Sequence, residues 1–231
     1  MQWYDILILI IVITLLIILL TSYICYLMTF YVGKKKIYQI DEYDIPPGEE
    51  YAPYKDMMTL WQKEMRELPH ENVQITSFDN LTLHGKYYPC GDSKIIEIMF
   101  HGYKGSAERD LCGGIKRAFS INHNVLLVDQ RAASRSDGHT ISFGVNERHD
   151  CMSWLKYVTD HFDKDMKVIL TGVSMGAATV ILASEMELSN NVIGVLADCS
   201  YSTQKDVIKK FIKPSLKDMN IFKKLLTHEI S

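Results

Sequence analysis

Ser174 is flanked at two residues' distance by glycine on either side, in Gly172-Val173-Ser174-Met175-Gly176. A serine hydroxyl so placed is a candidate nucleophile toward an acyl carbonyl, provided the chain turns sharply enough to expose it. The flanks are suited to such a turn. Lys167 to Thr171 is a short apolar run rich in β-branched residues and reads as a buried strand, while Ala177 to Ala183 is a small-residue, helix-compatible segment. A side chain at Gly172 or Gly176 is expected to collide with the neighbouring strand or helix. Ala177 and Ala178 keep the first helical turn slim. The helix N-terminus behind Ser174 then directs free N–H groups at any negative charge that develops there. The bland alternative is a glycine-rich turn carrying a solvated serine.

The rest of the chain supplies the elements that must hold this turn. Val73–Ser77 and Leu81–Tyr88 alternate apolar and polar residues around Phe78-Asp79-Asn80, the pattern of an antiparallel hairpin. Strands follow at Lys94–Phe100, Asn124–Asp129, the Ser174 strand and Val192–Asp198, with helices over Ala107–Ser120 and Asn146–Phe162 between them. A further helix, from about Pro53 to Leu68, carries a stripe of Met57, Trp61, Met65 and Leu68 suited to packing on the domain. A hairpin followed by alternating strands and helices predicts an α/β domain with a mostly parallel sheet and helices on both faces. In such sheets the working groups collect at the carboxyl ends of strands. Three strand ends are polar and specific: His101-Gly102-Tyr103, Asp129-Gln130-Arg131 and Ser174.

With these pieces assembled, the chain resembles the α/β-hydrolases, and most of all a bacterial membrane-anchored branch of esterases, lipases and serine peptidases. The matching residues are His101-Gly102-Tyr103-Lys104-Gly105, Asp129-Gln130-Arg131 with Ser136-Asp137-Gly138, Phe143-Gly144 with Glu147-Arg148-Asp150, and the Ser174 turn, over roughly Val73 to Ser202. The resemblance implies a serine hydrolase of ester, thioester or amide bonds, acting through an acyl-enzyme on Ser174, with a small acyl substrate and neither cofactor nor metal. It implies an oxyanion hole made by the backbone N–H groups of Met175 and Tyr103. His101 is then a structural loop residue, since the base follows the serine in this fold. The family pattern after Asp129 places a glycine where Ser134 stands. If the backbone there has positive φ, serine costs about 1 kcal/mol. Arg131 is expected either to brace this loop through Glu147 or Asp150 or to be solvated.

A triad needs an acid and a histidine after the serine. Asp198 ends a strand and is the candidate acid; His228 is the sole histidine beyond Ser174 and the candidate base. The family places its histidine in a loop after a final strand, whereas His228 follows a helical stripe of Leu216, Met219, Phe222 and Leu226. The expectation is therefore a C-terminally incomplete hydrolase domain over residues 52–231, its last strands missing. Six strands are expected, with Val192–Ala197 at an open edge and Ser174 without a histidine partner. Helices over Thr203–Lys213 and Ser215–His228 would close the chain. The competing reading is a catalytically inactive α/β-hydrolase-like module, or a truncated fragment, that binds an acyl ligand or a partner protein.

Residues Ile6 to Val32 contain no charge and exceed the ~20 apolar residues that cross a bilayer. Trp3 and Tyr4 at one end and Tyr31 at the other suit the interfaces. Residues 6–32 are thus expected to form a single transmembrane helix. A cleaved signal peptide fits less well, since Met1–Asp5 lacks Lys and Arg. Lys34, Lys35 and Lys36 follow at once and predict a cytoplasmic domain. Five cysteines without metal or disulfide spacing agree with a reducing compartment. Residues 33–51, acidic and broken by Pro46-Pro47-Gly48, read as a connector that lifts the domain off the membrane. A net charge of −3 and a pI near 6.2 give no reason to expect a nucleic-acid partner.

Overall fold

A computed structural model of the chain describes residues 2–35, 37, 39 and 41–208. They divide into two compact units, one of residues 2–31 with 202–208 and the other of Val32–Tyr201. In the larger unit a 3-10 turn, Glu49–Tyr54, leads into α2 (Lys55–Glu67), and strands β1 (Glu71–Thr76) and β2 (Thr82–Tyr88) form the expected hairpin. Then come β3 (Ile95–Phe100), α3 (Ala107–Ser120), β4 (Asn124–Val128), α4 (Glu147–His161), β5 (Lys167–Val173), α5 (Met175–Ser184) and β6 (Val192–Asp198). The six strands form one sheet in the order β1-β2-β4-β3-β5-β6. β1, β2 and β4 pair antiparallel, whereas β4, β3, β5 and β6 run parallel. Among the described residues β6 is an edge strand, as expected.

Strand alternation sorts the core into two layers. Ile96, Ile98 and Phe100 of β3 and Leu126 and Val128 of β4 join Trp154, Leu155 and Val158 of α4 and Val180 of α5. Met99, Val125 and Leu127 point the other way, onto Met65 of α2 and Leu111, Cys112 and Ile115 of α3. Every residue of β4 is buried, because helices cover both of its faces. Of the expected α2 stripe, Met65 is buried and Trp61 packs at its side, while Met57 is about two-fifths exposed, at 38%. One buried charge interrupts the second layer. Glu97 of β3 accepts hydrogen bonds from Arg117, from His123 Nδ1 at 2.7 Å and from Thr171 Oγ1 at 2.9 Å.

The parallel register brings the strand ends together. Phe100 lies opposite both Val128 and Gly172, and Val173 lies opposite Asp198. The residues that follow, His101, Asp129, Ser174 and Cys199, therefore emerge along one rim of the sheet.

The connector is not a free spacer. Val32 N–H donates to the His139 carbonyl at 2.8 Å, and Lys35 Nζ donates to the Ser136 carbonyl at 2.5 Å. Farther along, Gln62 Nε2 donates to the Asp44 carbonyl at 2.7 Å, and Arg66 stacks 4.8 Å from the Tyr43 ring. Composition showed a polar, proline-broken segment but not that the domain presents groups to bind it.

The smaller unit contains α1, Trp3–Thr29, rather than the 6–32 helix expected. It starts earlier because Asp5 Oδ2 accepts the Gln2 N–H at 2.8 Å, satisfying one free donor of the first turn. It ends earlier, at Thr29, where the Phe30 N–H closes the last turn on the Tyr26 carbonyl. α1 is long and apolar enough to cross a membrane, with mean hydropathy 3.1. Its Thr14 and Thr21 hydroxyls donate to the Ile10 and Ile17 carbonyls, so both polar groups are satisfied inside the helix. Residues 204–208 are helical, with the Thr203 hydroxyl accepting the Asp206 N–H at 3.2 Å. The expected closing helices otherwise lie outside the described residues.

Candidate active site

Ser174 joins β5 to α5 with φ 54° and ψ −111°, a backbone conformation that side chains other than glycine rarely adopt. The turn is held at both ends, since Ser174 N–H donates to the Asp198 carbonyl at 2.9 Å and its own carbonyl accepts from Ala178 N–H at 3.2 Å. A Cβ at Gly172 would stand 2.2 Å from the Gly176 backbone, and one at Gly176 would stand 2.0 Å from the Phe100 carbonyl oxygen. Both glycines are therefore required by close backbone approach, as the motif spacing implied.

The loop after β3 passes beside this turn. A Cβ on Gly102 would stand 3.5 Å from the Ser174 Cβ. The loop is fixed by Asp110, in the first turn of α3, whose Oδ2 accepts the Gly102 N–H at 2.9 Å while its Oδ1 accepts from Arg109 Nε at 2.6 Å. His101 is buried and structural. Its Nε2 accepts the Gln130 N–H at 3.1 Å, so Nδ1 carries the proton and donates to the Gly102 carbonyl at 2.8 Å. Gln130 ties three segments together. Its Nε2 donates to the His101 carbonyl at 2.5 Å, and its Oε1 accepts from the Thr179 hydroxyl of α5 at 3.1 Å.

Tyr103 and Met175 carry the two N–H groups expected to face an oxyanion. Tyr103 follows Gly102 directly, and its ring stacks on Phe143 with centroids 5.1 Å apart. Burial pushes the Tyr103 phenol up to about 12. Phe143 is itself held, for its carbonyl accepts from the Tyr201 hydroxyl at 2.7 Å. Met175 is the first residue of α5, and among the described residues its N–H donates no hydrogen bond.

The loop after β4 is braced by Arg131. Its guanidinium grips Asp150 through Nε at 2.6 Å and Nη2 at 2.7 Å, and Asp79 through Nη1 at 2.9 Å and Nη2 at 3.1 Å. Burial raises the Asp150 carboxyl to about 6, against the hydrogen bonds from Arg131. Glu147, the other partner expected for Arg131, instead accepts from Ser142 and Gly144 backbone N–H groups, each at 2.8 Å. Ser134 has φ 46° and Ala132 has φ 62°, so the position where the resemblance predicts a glycine carries a strained serine in this chain.

Asp198 lies one strand from Ser174, exposed at the end of β6, and its Oδ1 accepts from Cys199 Sγ at 3.1 Å. Among the described residues no histidine hydrogen-bonds to Ser174 or to Asp198. His228 lies outside the described residues. No group of three His, Cys, Asp or Glu is arranged to hold a metal among the described residues.

Sequence reading gave no supporting role to Asp110, Gln130, Thr179 or Asp79. Each works by a hydrogen bond across 8 to 52 residues. Only Gln130, adjoining Asp129 at a strand end, carried any local signal.

No protein family model matches the chain. The fold does match solved structures. An esterase of Pyrococcus furiosus, Pf2001, superposes with a TM-score of 0.53 at 24% identity, over 69% of this chain and 58% of the esterase. The α/β hydrolase GrgF from Penicillium sp. sh18 superposes with a TM-score of 0.53 at 19% identity, over 66% of this chain and 54% of that one. The chain thus spans less than two thirds of the length of either protein. The mixed six-stranded sheet, its helices on both faces and these likenesses together establish the α/β-hydrolase fold for this chain.

Proposed function

We propose that the chain is a serine hydrolase of ester, thioester or amide bonds, anchored in a membrane by α1 with its domain in the cytoplasm. The observation that carries this reading is the strained Ser174 turn set against the Gly102–Tyr103 loop. Ser174 Oγ attacks the acyl carbonyl carbon as a base takes its proton. The carbonyl oxygen becomes an oxyanion held by the N–H groups of Met175 and Tyr103. Collapse expels the alcohol, thiol or amine, which recovers a proton and leaves an acyl ester on Ser174. Water then hydrolyses that ester, releasing the carboxylic acid and restoring the serine. In this scheme His228, the sole histidine beyond Ser174, is the candidate base and Asp198 the candidate acid. The α1 helix and the α/β-hydrolase fold are the support for the membrane and acyl parts of the reading.

The test is labelling of the full chain, in detergent, with a fluorophosphonate probe. On this reading the native chain takes label and Ser174→Ala loses it, and loss in His228→Ala as well would assign His228 as the base. Labelling that survives Ser174→Ala overturns the nucleophile. A native chain that takes no label overturns the hydrolase reading and leaves the binding-module alternative.

A further inference from the structure

Beside the first residue of α5, within the larger unit, lies a cleft of about 170 Å³. Met175 and Ile141 form part of its wall, with the loops after β3 and β4. The remaining wall is the segment Val32–Lys35, which the His139 and Ser136 carbonyls hold in place. Four cationic residues line the cleft, Lys34, Lys35, Lys104 and Arg131, and among the described lining residues there is no carboxylate. The charge of Arg131 is matched by Asp79 and Asp150. The lysines differ. Lys35 spends one donor on a neutral carbonyl, and Lys34 makes no ion pair among the described residues. The carboxylate that acts on Lys35 from nearby, Asp137, is turned to the Thr82 N–H at 3.0 Å. Burial lowers the pKa of Lys104, a sign that its ammonium sits in a partly dry wall. The whole chain is net negative, so this concentration of positive charge is local.

A positive cleft with low-dielectric walls concentrates anions. We propose that it receives an anionic group of the substrate, a phosphate or a carboxylate a few atoms from the scissile acyl bond, with Lys34 and Lys35 as the residues that select it. The inference rests on the assignment of Ser174 as the nucleophile, since Met175 links cleft and reaction centre. The volume is that of five or six water molecules at ~30 Å³ each, room for a phosphate or carboxylate with a short carbon stem. The same chemistry is presented by a soluble acid ester and by the headgroup of an anionic lipid. The second source has a reason in the chain, because Val32 follows the last residue of α1, Thr29, by only three positions.

The experiment uses the full chain in phosphatidylcholine nanodiscs, with two matched soluble esters: p-nitrophenyl butyrate and the mono-p-nitrophenyl ester of glutaric acid. A parallel arm measures fatty-acid release from phosphatidylglycerol and from phosphatidylcholine vesicles. The readout is the ratio of kcat/KM for the anionic over the neutral substrate. A ratio of about ten in at least one arm is expected at low salt, falling as salt rises. The ratio should collapse in the Lys34→Glu, Lys35→Glu double variant and persist in the Lys34→Arg, Lys35→Arg variant. Preference in the vesicle arm assigns the anion to a lipid headgroup, and preference only for the glutarate ester assigns it to a soluble acid. A ratio near one in both arms, with the neutral ester still hydrolysed, overturns this inference alone. A ratio that is unchanged by the Glu variant overturns it too. Failure of the neutral ester to react and of Ser174 to take a fluorophosphonate overturns the hydrolase reading instead.

Discussion

Ser174 carries backbone strain that a glycine would relieve, since φ 54° with ψ −111° is open to glycine and costly for any residue with a Cβ. This allows strain to be separated from chemistry at one position. Ser174→Ala and Ser174→Gly both remove the hydroxyl. Only the glycine variant removes the strain, and its extra freedom in the unfolded chain offsets part of the gain. Ser174→Gly is therefore expected to be more stable than Ser174→Ala by about 1 kcal/mol, a higher midpoint in thermal melts. An alanine variant equal to or more stable than the glycine variant would show that the turn is relaxed. Ser134, with φ 46°, is a second strained serine, and its motif position pointed to a glycine. The loop tolerates it because Ser136 Oγ donates to the Asp129 carbonyl at 2.6 Å and accepts the His84 N–H at 2.9 Å, while Arg131 grips Asp150 and Asp79.

At the scale of elements, β3 is central in both senses. It lies between β4 and β5 in the sheet, and it delivers His101 and Gly102 to the site. Its buried Glu97 connects β3 to β5 through Thr171 and to α3 through Arg117. His123, just beyond α3, completes the set. Burial alone would push this carboxyl up. The hydrogen bonds from Arg117, His123 and Thr171 outweigh it, and the net shift is downward from 4.5. A depressed folded pKa stabilises the native state above the unfolded value, and that contribution is lost as pH falls through the folded pKa. Glu97→Gln is expected to cost about 3 kcal/mol at pH 7, because it leaves buried donors facing a neutral amide. The gap between variant and native chain should then narrow below pH 4.5, read from urea midpoints across pH. A gap that stays constant down to pH 3 would mean that the carboxyl is not ionised in the folded protein.

At the scale of the whole molecule, an apolar helix carrying Cys25 precedes a domain with four further cysteines, and all five are free. Lys34, Lys35 and Lys36 follow shortly after the helix, and the bias of positive charge toward the cytoplasmic side is the ground for the proposed orientation with the domain inside. Green fluorescent protein fused after Ser231 is expected to fluoresce in cells, and alkaline phosphatase fused at the same place to be inactive. Active phosphatase there would reverse the orientation and put the domain outside. With the domain inside, Lys34 and Lys35 serve two ends, topology and the cleft. Reporter fusions on the Lys34→Glu, Lys35→Glu chain separate them, because substrate selectivity can change without a change of side.

Much of this arrangement is local and so was legible in the sequence. The α3 limits, Ala107–Ser120, and those of β6, Val192–Asp198, follow from periodicity and breakers. The Gly172 and Gly176 spacing implied a turn too tight for any Cβ, and the backbone distances of 2.2 and 2.0 Å bear this out. Strand order was not legible, since β4 inserts between β2 and β3 and no local pattern encodes which strands become neighbours. The same holds for what supports the site. Asp110, Gln130, Thr179 and Asp79 are ordinary polar residues until folding brings each to a distant backbone or side-chain partner. Residues 33–51 are the plainest case. Composition describes only the segment itself, a polar spacer, whereas docking depends on carbonyls that Ser136 and His139 present a hundred residues later.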